Sequence, residues 1–358
     1  MVKLSRKGWM ALSILFSLAV IVIIFVTTFN EETIGYILAF NLVFLGLAII
    51  FRLLALVIWG LRIKVMSKSL GYHVTLPYCV NMVLAGLLAG TITPGQVGND
   101  PVRVHELYRD GVGMGDAIAV VIMERFLDGV ILAGMGILIL FLMMQYFLQT
   151  FSAAIISLVI IALVFMISML VLLVLAMRCP TKTKSIVMRL VNWTVARFRK
   201  SPEQGQQITD RAEREIGNFF EGTNRFTGSA RQGLIAGGVL TAIFWITEFL
   251  VASIIMMGLG LDPYILESMF FQIILAIIMM IPLTPGSSGI TELSTSSLYA
   301  LIIPSGMIGI FVVLWRFVTF YLNILLGAIA GLAIFKRELK SKEKEELERV
   351  GQESRKTG

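Results

Sequence analysis

Cysteine and histidine are almost absent from this sequence. The 358 residues include two cysteines, Cys79 and Cys179, and two histidines, His73 and His105. Both cysteines fall near predicted cytoplasmic ends of apolar segments, and neither has a cluster of other ligands around it. We therefore expect no disulfide and no zinc site. The sequence predicts neither a metal ion nor a cofactor.

Charged residues are also scarce. They make up 15% of the chain, whereas a soluble domain has roughly 25%. Hydrophobic residues make up 57%, and the mean hydropathy is +0.86. Several apolar runs reach the ~20 residues that a helix needs to cross a bilayer. The sequence therefore predicts a multi-pass membrane protein, and the net charge of +7 is interpreted through membrane topology rather than nucleic-acid binding.

The common catalytic motifs are missing as well. There is no Walker motif, no G-x-S-x-G, no H-E-x-x-H and no soluble catalytic domain. We therefore expect no catalytic residues and a transporter-like protein rather than an enzyme. The apolar run from Trp9 to Phe29 is too long for a signal-peptide core, so it is predicted to be the first membrane span.

One motif in this apolar chain occurs twice. Thr93 to Gly98 reads T-P-G-Q-V-G, and Thr284 to Gly289 reads T-P-G-S-S-G, 191 positions later (284 minus 93). The same offset gives 13 identities over positions 84–136, without a gap. We interpret the pattern as one structural unit used twice. Interruptions by Gly and Pro at matching points of two apolar halves indicate a transporter site built from broken helices.

The pattern predicts an all-α fold with about six transmembrane helices and two re-entrant helical hairpins. The predicted spans are about 9–29, 34–60, 115–147, 152–177, 232–259 and 306–335, and the predicted hairpins are 76–110 and 265–303. Arg52 would lie near the exit of the second span, and Arg62 beyond it.

These elements would form a single transmembrane domain over 1–335. Its two repeat units are about 34–147 and 232–335, joined by a basic cytoplasmic segment, 178–231. Within that segment, Ser185 to Phe198 is amphipathic enough to lie on a membrane surface. A charged cytoplasmic tail, 336–358, follows the domain.

The positions of lysine and arginine predict the topology. Neither residue occurs between Lys7 and Arg52, between Arg125 and Arg178, or between Arg231 and Arg316. Because cytoplasmic loops carry the excess of positive charge, we expect both termini to be cytoplasmic. The first hairpin would then lie on the cytoplasmic side and the second on the outer side. The two units would form an inverted repeat, which is a transporter architecture.

Two arginines inside apolar spans are the main candidates for ligand binding. Arg125 and Arg316 each lie 31 residues after the matched proline of their unit (125 minus 94; 316 minus 285). A guanidinium near the bilayer centre needs a partner or a watery cavity, and its planar fork suits phosphate oxygens. A head-group phosphate is therefore one interpretation. The alternatives are a structural ion pair with Glu124, Asp128 or Glu248, or snorkelling to an interface.

The glycines of the two motifs are the second set of candidates. Gly95, Gly98, Gly286 and Gly289 allow a ligand to approach the backbone closely, and the helix that follows each turn presents N–H groups that suit an anion. The alternative is that each turn needs Pro and Gly only to reverse the chain.

Acidic residues near these positions are predicted to support or couple the site. Glu124 and Asp128 share a helical face, and Asp128 is three residues from Arg125, so the two can pair. Proton coupling by Glu124, Asp128 or Glu248 is possible, but charge neutralisation within the helices is favoured. Asp100 is expected to cap a helix, and Glu292 either caps a helix or faces the cavity.

These motifs resemble the transmembrane-region family of lysylphosphatidylglycerol synthases. The resemblance rests on Thr93 to Arg103, on Glu124 to Asp128, and on Pro285 to Glu292 followed by Arg316, and it covers about 10–335. It implies that Arg125, Asp128, Glu292 and Arg316 occupy the family's polar intramembrane positions. The hairpins depart from the family's frequent P-G-G-x-G, with Gln96 in one and Ser287-Ser288 in the other.

The resemblance also sets the functional expectation. Members of the family include the flippase half of multiple peptide resistance factors, which moves aminoacylated phosphatidylglycerol between leaflets. The aminoacyl-transferase half is missing here, so we expect a stand-alone member that is not a synthase. The leading hypothesis is a cell-membrane flippase that binds an anionic lipid, a phospholipid or a polyprenyl phosphate, between the hairpins.

Two alternatives stay open. The chain could be a non-transporting subunit that docks a separate synthetase or glycosyltransferase through 178–231, and it could form a homo-oligomer. An intramembrane enzyme acting on lipids is the weakest alternative, because no nucleophile–base pair is visible.

Overall fold

The described part of the protein is α-helical. The structure, a computed structural model, describes residues 6–150, 153–198, 202–279, 284, 286–334 and 336–337, and these residues contain no β-strand. The helices in chain order are α1 (Arg6–Thr28), α2 (Thr33–Ala39), α3 (Leu42–Ser69), α4 (Leu76–Thr91), α5 (Asn99–Arg109), α6 (Met114–Leu142), α7 (Met144–Thr150), α8 (Ala153–Arg178), α9 (Pro180–Phe198), α10 (Pro202–Thr227), α11 (Arg231–Gly258), α12 (Ile265–Met279), α13 (Ile290–Tyr299) and α14 (Ser305–Arg316). A π-helical turn, Phe317–Tyr321, prolongs α14 into an apolar helix whose continuously described residues reach Ile334.

The protein is a multi-pass membrane protein. Among the described residues, four helices are each long and apolar enough to cross a membrane: α3, α6, α11 and the prolonged α14. Two bent helix pairs raise the number to as many as six. The first pair joins Ser17–Thr28 to Thr33–Ala39 at 114°, and the second joins Leu163–Arg178 to Pro180–Arg197 at 99°. The predicted all-α fold with about six spans is confirmed.

The predicted second span, 34–60, has different bounds in the structure. The chain breaks at Phe40 and Asn41, and the long helix is α3, which continues to Ser69. Asn41 caps α3 by accepting a hydrogen bond from the Val43 N–H at 3.0 Å. Hydropathy does not register a cap inside an apolar run, so the prediction merged α2 with α3 and ended the span too early.

The centre of the fold is the packing of α3 along α11. Glycines of α11 allow the close approach: a Cβ at Gly233 would lie 2.2 Å from Ser69 Cβ, and one at Gly237 would lie 3.1 Å from Met66 Cγ. Two clusters of buried apolar side chains each include residues of both helices of this pair. One is formed mainly by α11, α12 and α14, and the other by α3, α4 and α6.

The two predicted hairpins are helix–turn–helix units. Helices α4 and α5 pack against each other in the first, and α12 and α13 do so in the second. Much of the second turn, 280–283 and Pro285, lies outside the described residues. The tail beyond Arg337 also lies outside them, so the predicted tail has no described structure past that point.

The helix bounds recur at nearly the same offset as the sequence motif. Helices α5 and α13 begin 191 positions apart (290 minus 99), as do α6 and α14 (305 minus 114). Helices α3 and α11, and likewise α4 and α12, begin 189 positions apart (231 minus 42; 265 minus 76). The order long helix, hairpin, long helix therefore occurs twice. The inverted orientation of the two copies across a membrane remains a prediction.

Candidate functional site

The tips of the two hairpins contact each other through their backbones. The Gly95 N–H donates to the Thr284 carbonyl at 3.4 Å, and the Gly286 N–H donates to the Thr93 carbonyl at 3.1 Å. At the 191-residue offset, each of these hydrogen bonds is the counterpart of the other. The φ angles correspond as well, 57° at Gly95 and 59° at Gly286, in the left-handed region that glycine adopts without strain. The two motif copies therefore meet as a symmetric pair.

All four motif glycines use their N–H groups within the protein. The two tip glycines donate to the opposite hairpin. The Gly98 N–H donates to Thr93 Oγ1 at 2.8 Å, and the Gly289 N–H donates to Glu292 Oε2 at 2.7 Å. An anion would have to replace these protein acceptors to reach the amides. Contact between the four glycines and a lipid head group therefore stays a prediction.

Arg125 is paired with Asp100 at the start of the return helix α5. Its Nε donates to Asp100 Oδ2 at 3.0 Å, and its Nη2 donates to Asp100 Oδ1 at 2.6 Å, which makes the pair bidentate. The Nη1 atom lies 3.7 Å from Asp128 Oδ2, too far for a hydrogen bond. The Arg125 side chain is 41% exposed. The N-cap residue of α5 is Gly98, not Asp100 as the sequence predicts. Asp100 lies in the first turn of α5 and binds arginine there.

An open pocket lies beside this ion pair, between α5 and α6. It has a volume of about 350 Å³. Its lining is mostly apolar, and three ionisable residues lie in it: Asp100, His105 and Arg125. The remaining lining residues are Pro101, Val104, Met114, Ile118, Val121 and Ile122. The pocket therefore combines an apolar wall with a partly exposed guanidinium.

Glu124 lies fully buried between two arginines. Arg62 Nε donates to Glu124 Oε1 at 2.7 Å, and Arg103 Nη1 donates to Glu124 Oε2 at 2.5 Å. Both arginine side chains are buried, and each guanidinium lies within 6 Å of the Trp59 ring. Both carboxylate oxygens accept from arginines of other helices, Arg62 of α3 and Arg103 of α5. The favoured prediction of charge neutralisation within the helices is therefore wrong for Glu124, whose charge is neutralised between helices.

Asp128 connects this group to α11. Arg62 Nη1 donates to Asp128 Oδ1 at 2.6 Å, and Trp245 Nε1 donates to the same oxygen at 3.1 Å. Arg62 Nη1 also lies 3.1 Å from Thr241 Oγ1. The group therefore contains three arginines and three carboxylates and is formally neutral: Arg62, Arg103, Arg125, Asp100, Glu124 and Asp128.

Arg316 belongs to a separate group in the second unit. Its Nε donates to Glu292 Oε1 at 2.8 Å, and both side chains are buried. Ser17 of α1 donates to the same carboxylate oxygen, and Tyr321 donates to Ser17 Oγ at 3.1 Å. Glu292 also accepts from the Gly289 N–H, so it caps α13 in addition to pairing with Arg316.

The two motif-linked arginines have equivalent partners. Each binds a carboxylate in the first turn of the return helix of its own hairpin, Asp100 in α5 and Glu292 in α13. They differ in access, because Arg125 is 41% exposed and Arg316 is 2% exposed. A head group could reach Arg125 in this structure but not Arg316.

Glu248 is held in a third group at the centre of the fold. Arg52 binds Glu248 through Nη1 and donates to Asn323 Oδ1 from Nε at 3.1 Å. The interaction ties together α3, α11 and the middle of the prolonged α14. The sequence proposes Glu124, Asp128 or Glu248 as an ion-pair partner for Arg316, but its partner in the structure is Glu292. Glu248 instead neutralises Arg52, which the sequence places near the exit of the second span.

Sequence reasoning did not identify Arg62 or Arg103 as site residues. The predicted second span ends at residue 60, which leaves Arg62 outside it. In the sequence analysis, Arg103 appears only as the last residue of the first family-like motif. A signal for Arg103 was available, since it lies three residues from Asp100 on one helical face. Nothing in the local sequence links Arg62 to Glu124.

Comparison with known proteins identifies relatives over nearly the whole chain. The family model described as "Lysylphosphatidylglycerol synthase TM region" matches residues 10–327. A "UPF0104 membrane protein" of Archaeoglobus fulgidus is 32% identical over 321 residues, which is 89% of this chain and 95% of that protein. Proteins of the same description from Methanothermobacter thermautotrophicus and Pyrococcus horikoshii are each 24% identical, over 70% and 84% of this chain and 73% and 90% of their own lengths. No solved structure matches.

Proposed function

Since this chain belongs to the lysylphosphatidylglycerol synthase transmembrane-region family, we propose that it is a lipid translocator that binds a phosphate-containing lipid head group at Arg125. The observation that carries the proposal is the pocket between α5 and α6. An apolar wall suits an acyl chain, and the partly exposed guanidinium beside it suits a phosphate. A lipid has this same division into an apolar and an anionic part.

The ion pair leaves Arg125 a way to bind a phosphate. Asp100 occupies Nε and Nη2, whereas Nη1 has no hydrogen bond to Asp128 at 3.7 Å. A phosphate oxygen can bind first at Nη1 and then compete with Asp100 for the other donors. Once released from Arg125, Asp100 would still pair with Arg103, whose Nη2 lies 2.6 Å from Asp100 Oδ1. Neither charge is then left alone in an apolar environment.

The tip contact supplies a second set of donors for the same phosphate. The N–H groups of Gly95 and Gly286 donate to carbonyls of the opposite hairpin. Separation of the tips would release both amides at a point where the backbone is irregular, which is how discontinuous helices bind anions in transporters. We propose that head-group passage requires this separation, and that Arg316 and Glu292 hold the second hairpin rather than contacting the lipid first.

The proposal is tested by lipid scrambling in reconstituted vesicles. The probes are a labelled anionic phospholipid and a labelled polyprenyl phosphate, assayed in parallel. We expect Arg125→Gln to slow scrambling about tenfold to a hundredfold, because one charge-assisted contact contributes ~1.5–3 kcal/mol. Lys184→Gln is the control. Like Arg125, Lys184 is about 40% exposed and ion-paired, but it lies on α9, whereas the pocket lies between α5 and α6. Equal rates for wild type and Arg125→Gln would reject the proposal.

Deletion of 178–231 would be a poor test of the alternative that this segment docks a separate enzyme. Helix α10 packs on α6, and a Cβ added at Gly222 would lie 2.5 Å from Asp116 Oδ1, so this segment is part of the folded core. Deletion would damage the fold and any partner site together. Substitution of exposed side chains on α9 is the cleaner test, and transport by such variants would argue against an obligatory docked enzyme.

A further inference from the structure

Helix α9 leaves the apolar helix α8 at nearly a right angle. The bend between Leu163–Arg178 and Pro180–Arg197 is 99°. Helix α8 has no charged residue before Arg178 in its last turn, and many of its side chains are exposed, as expected for a lipid-facing span. A helix that leaves such a span at 99° runs along the membrane surface rather than away from it. Its position alone therefore brings α9 to the level of the lipid head groups.

One face of α9 is apolar, and none of the residues that the structure describes covers it. Ile186, Leu190 and Trp193 are 68%, 62% and 62% exposed. At about 100° per residue, these three side chains fall within about 60° of one another around the helix axis. We call them the α9 stripe. Three large apolar side chains on one side of a surface helix indicate contact with an apolar phase.

The opposite face of α9 already has its partner. Lys184 Nζ lies 2.7 Å from Glu213 Oε1 of α10, and a Cβ at Gly205 of α10 would lie 2.9 Å from Val195 Cγ1. Both α9 residues lie about 160–180° from Ile186 around the helix. The packing of α10 therefore fixes α9 with the stripe turned away from the protein.

The charges beside the stripe are of one sign. Helix α9 has four basic residues and no acidic residue in Pro180–Phe198. Lys182, Arg189 and Arg197 lie within about 60° of Ile186, on the same side as the stripe. Long basic side chains at such positions reach past the apolar residues to phosphates, and tryptophan is typical of the interface itself.

We propose that α9 is an interfacial helix that binds the surface of an anionic bilayer, with the stripe inserted among the acyl chains and Lys182, Arg189 and Arg197 on lipid phosphates. The occupant is an anionic lipid surface because the exposed face combines apolar and basic groups and continues directly from a membrane helix. This surface is separate from the Arg125 pocket and does not depend on the proposed transport.

The test measures how deep α9 lies in vesicles. The full chain carries Cys179→Ser, and a nitroxide is attached at Leu190→Cys or, as control, at Ser185→Cys, which is exposed but lies about 140° away around the helix. Accessibility to oxygen and to a water-soluble nickel complex is compared. We expect the Leu190 label to favour oxygen several-fold more than the Ser185 label does. If the labels at Leu190→Cys and Ser185→Cys are equally accessible to the nickel complex, the stripe is not inserted in the bilayer. That result would overturn the proposal and favour a protein partner for this face.

The lipid charge is tested with the same label. We expect the Leu190 label to lie deeper in vesicles that contain phosphatidylglycerol than in phosphatidylcholine alone. The triple variant Lys182→Gln/Arg189→Gln/Arg197→Gln should lose that difference, whereas Lys184→Gln, on the α10 side, should keep it. A label depth that does not respond to phosphatidylglycerol in the wild type would overturn the assignment to an anionic surface.

Discussion

At the residue scale, the polar side chains in this membrane protein are organised by arginine–carboxylate pairs. Glu124 accepts from both Arg62 and Arg103, Glu292 pairs with Arg316, and Glu248 pairs with Arg52. A buried charge is tolerated where a counter-charge meets it with good geometry. Sequence analysis found all three of these acids and the two motif-linked arginines, Arg125 and Arg316, but it could not assign partners between helices, because pairing across helices depends on packing.

Loss of Glu124 is expected to destabilise the protein strongly. Glu124→Gln would leave Arg62 and Arg103 buried with one charged partner fewer, so we expect a loss of ~3–5 kcal/mol in the free energy of unfolding. The measurement is denaturant unfolding in detergent. The control is Glu213→Gln, which breaks the exposed pair with Lys184 and should cost at most ~1 kcal/mol. Similar effects for the two variants would contradict the buried-pair interpretation.

Gly98 is predicted to be needed for steric reasons rather than for its φ angle. A Cβ there would lie 2.8 Å from the Ala89 carbonyl oxygen and 2.9 Å from Thr93 Oγ1. We expect Gly98→Ala to destabilise the first hairpin by ~1–3 kcal/mol, as overpacking does. Gly35→Ala, where nothing lies within 4 Å of the added Cβ, should be neutral or slightly stabilising. A thermal melt of both variants checks this, and a stable Gly98→Ala variant would contradict it.

At the element scale, the recurring unit is a long helix, a hairpin and a second long helix. The sequence located both hairpins, because Pro and Gly interrupt apolar runs there, and it found the repeat from matched residues alone. It did not find the break before α3, because Asn41 lies in an otherwise apolar stretch. It also could not foresee that the tips touch, since the hydrogen bonds between Gly95, Thr284, Gly286 and Thr93 use backbone atoms that carry no sequence signal.

Fixing the hairpin tips together is expected to stop transport. In a Cys79→Ser/Cys179→Ser background, Thr93→Cys and Thr284→Cys place one thiol on each tip, and a short bifunctional maleimide should join them. We expect crosslinking to abolish lipid scrambling, because the amides of the tip glycines then stay on protein carbonyls. Each single-cysteine variant treated with the same reagent is the control. Undiminished scrambling by the crosslinked protein would show that the tips need not separate.

At the scale of the whole molecule, two similar units meet at their motif copies and share the central helix pair α3 and α11. The fold class and the number of spans were predictable because composition and hydropathy determine them in a membrane protein. The orientation of the units is a separate question, since it rests on where lysine and arginine are absent.

The predicted inversion can be tested at two loops that correspond in the repeat. His73 follows α3 and Asp262 follows α11, and both side chains are exposed. If the units are inverted, a membrane-impermeant thiol reagent added outside intact cells should label Asp262→Cys but not His73→Cys, and permeabilisation should make His73→Cys reactive. Labelling of both from the same side would contradict the inverted repeat.

The measurement that bears most directly on the central claim is native mass spectrometry of the gently extracted protein, with identification of the lipids that remain bound. The account predicts a specifically retained phosphate-containing lipid that is lost in Arg125→Gln and kept in Lys184→Gln. Bulk lipid alone, unchanged by Arg125→Gln, would make the Arg125–Asp100 pair purely structural and would contradict head-group binding at this pocket.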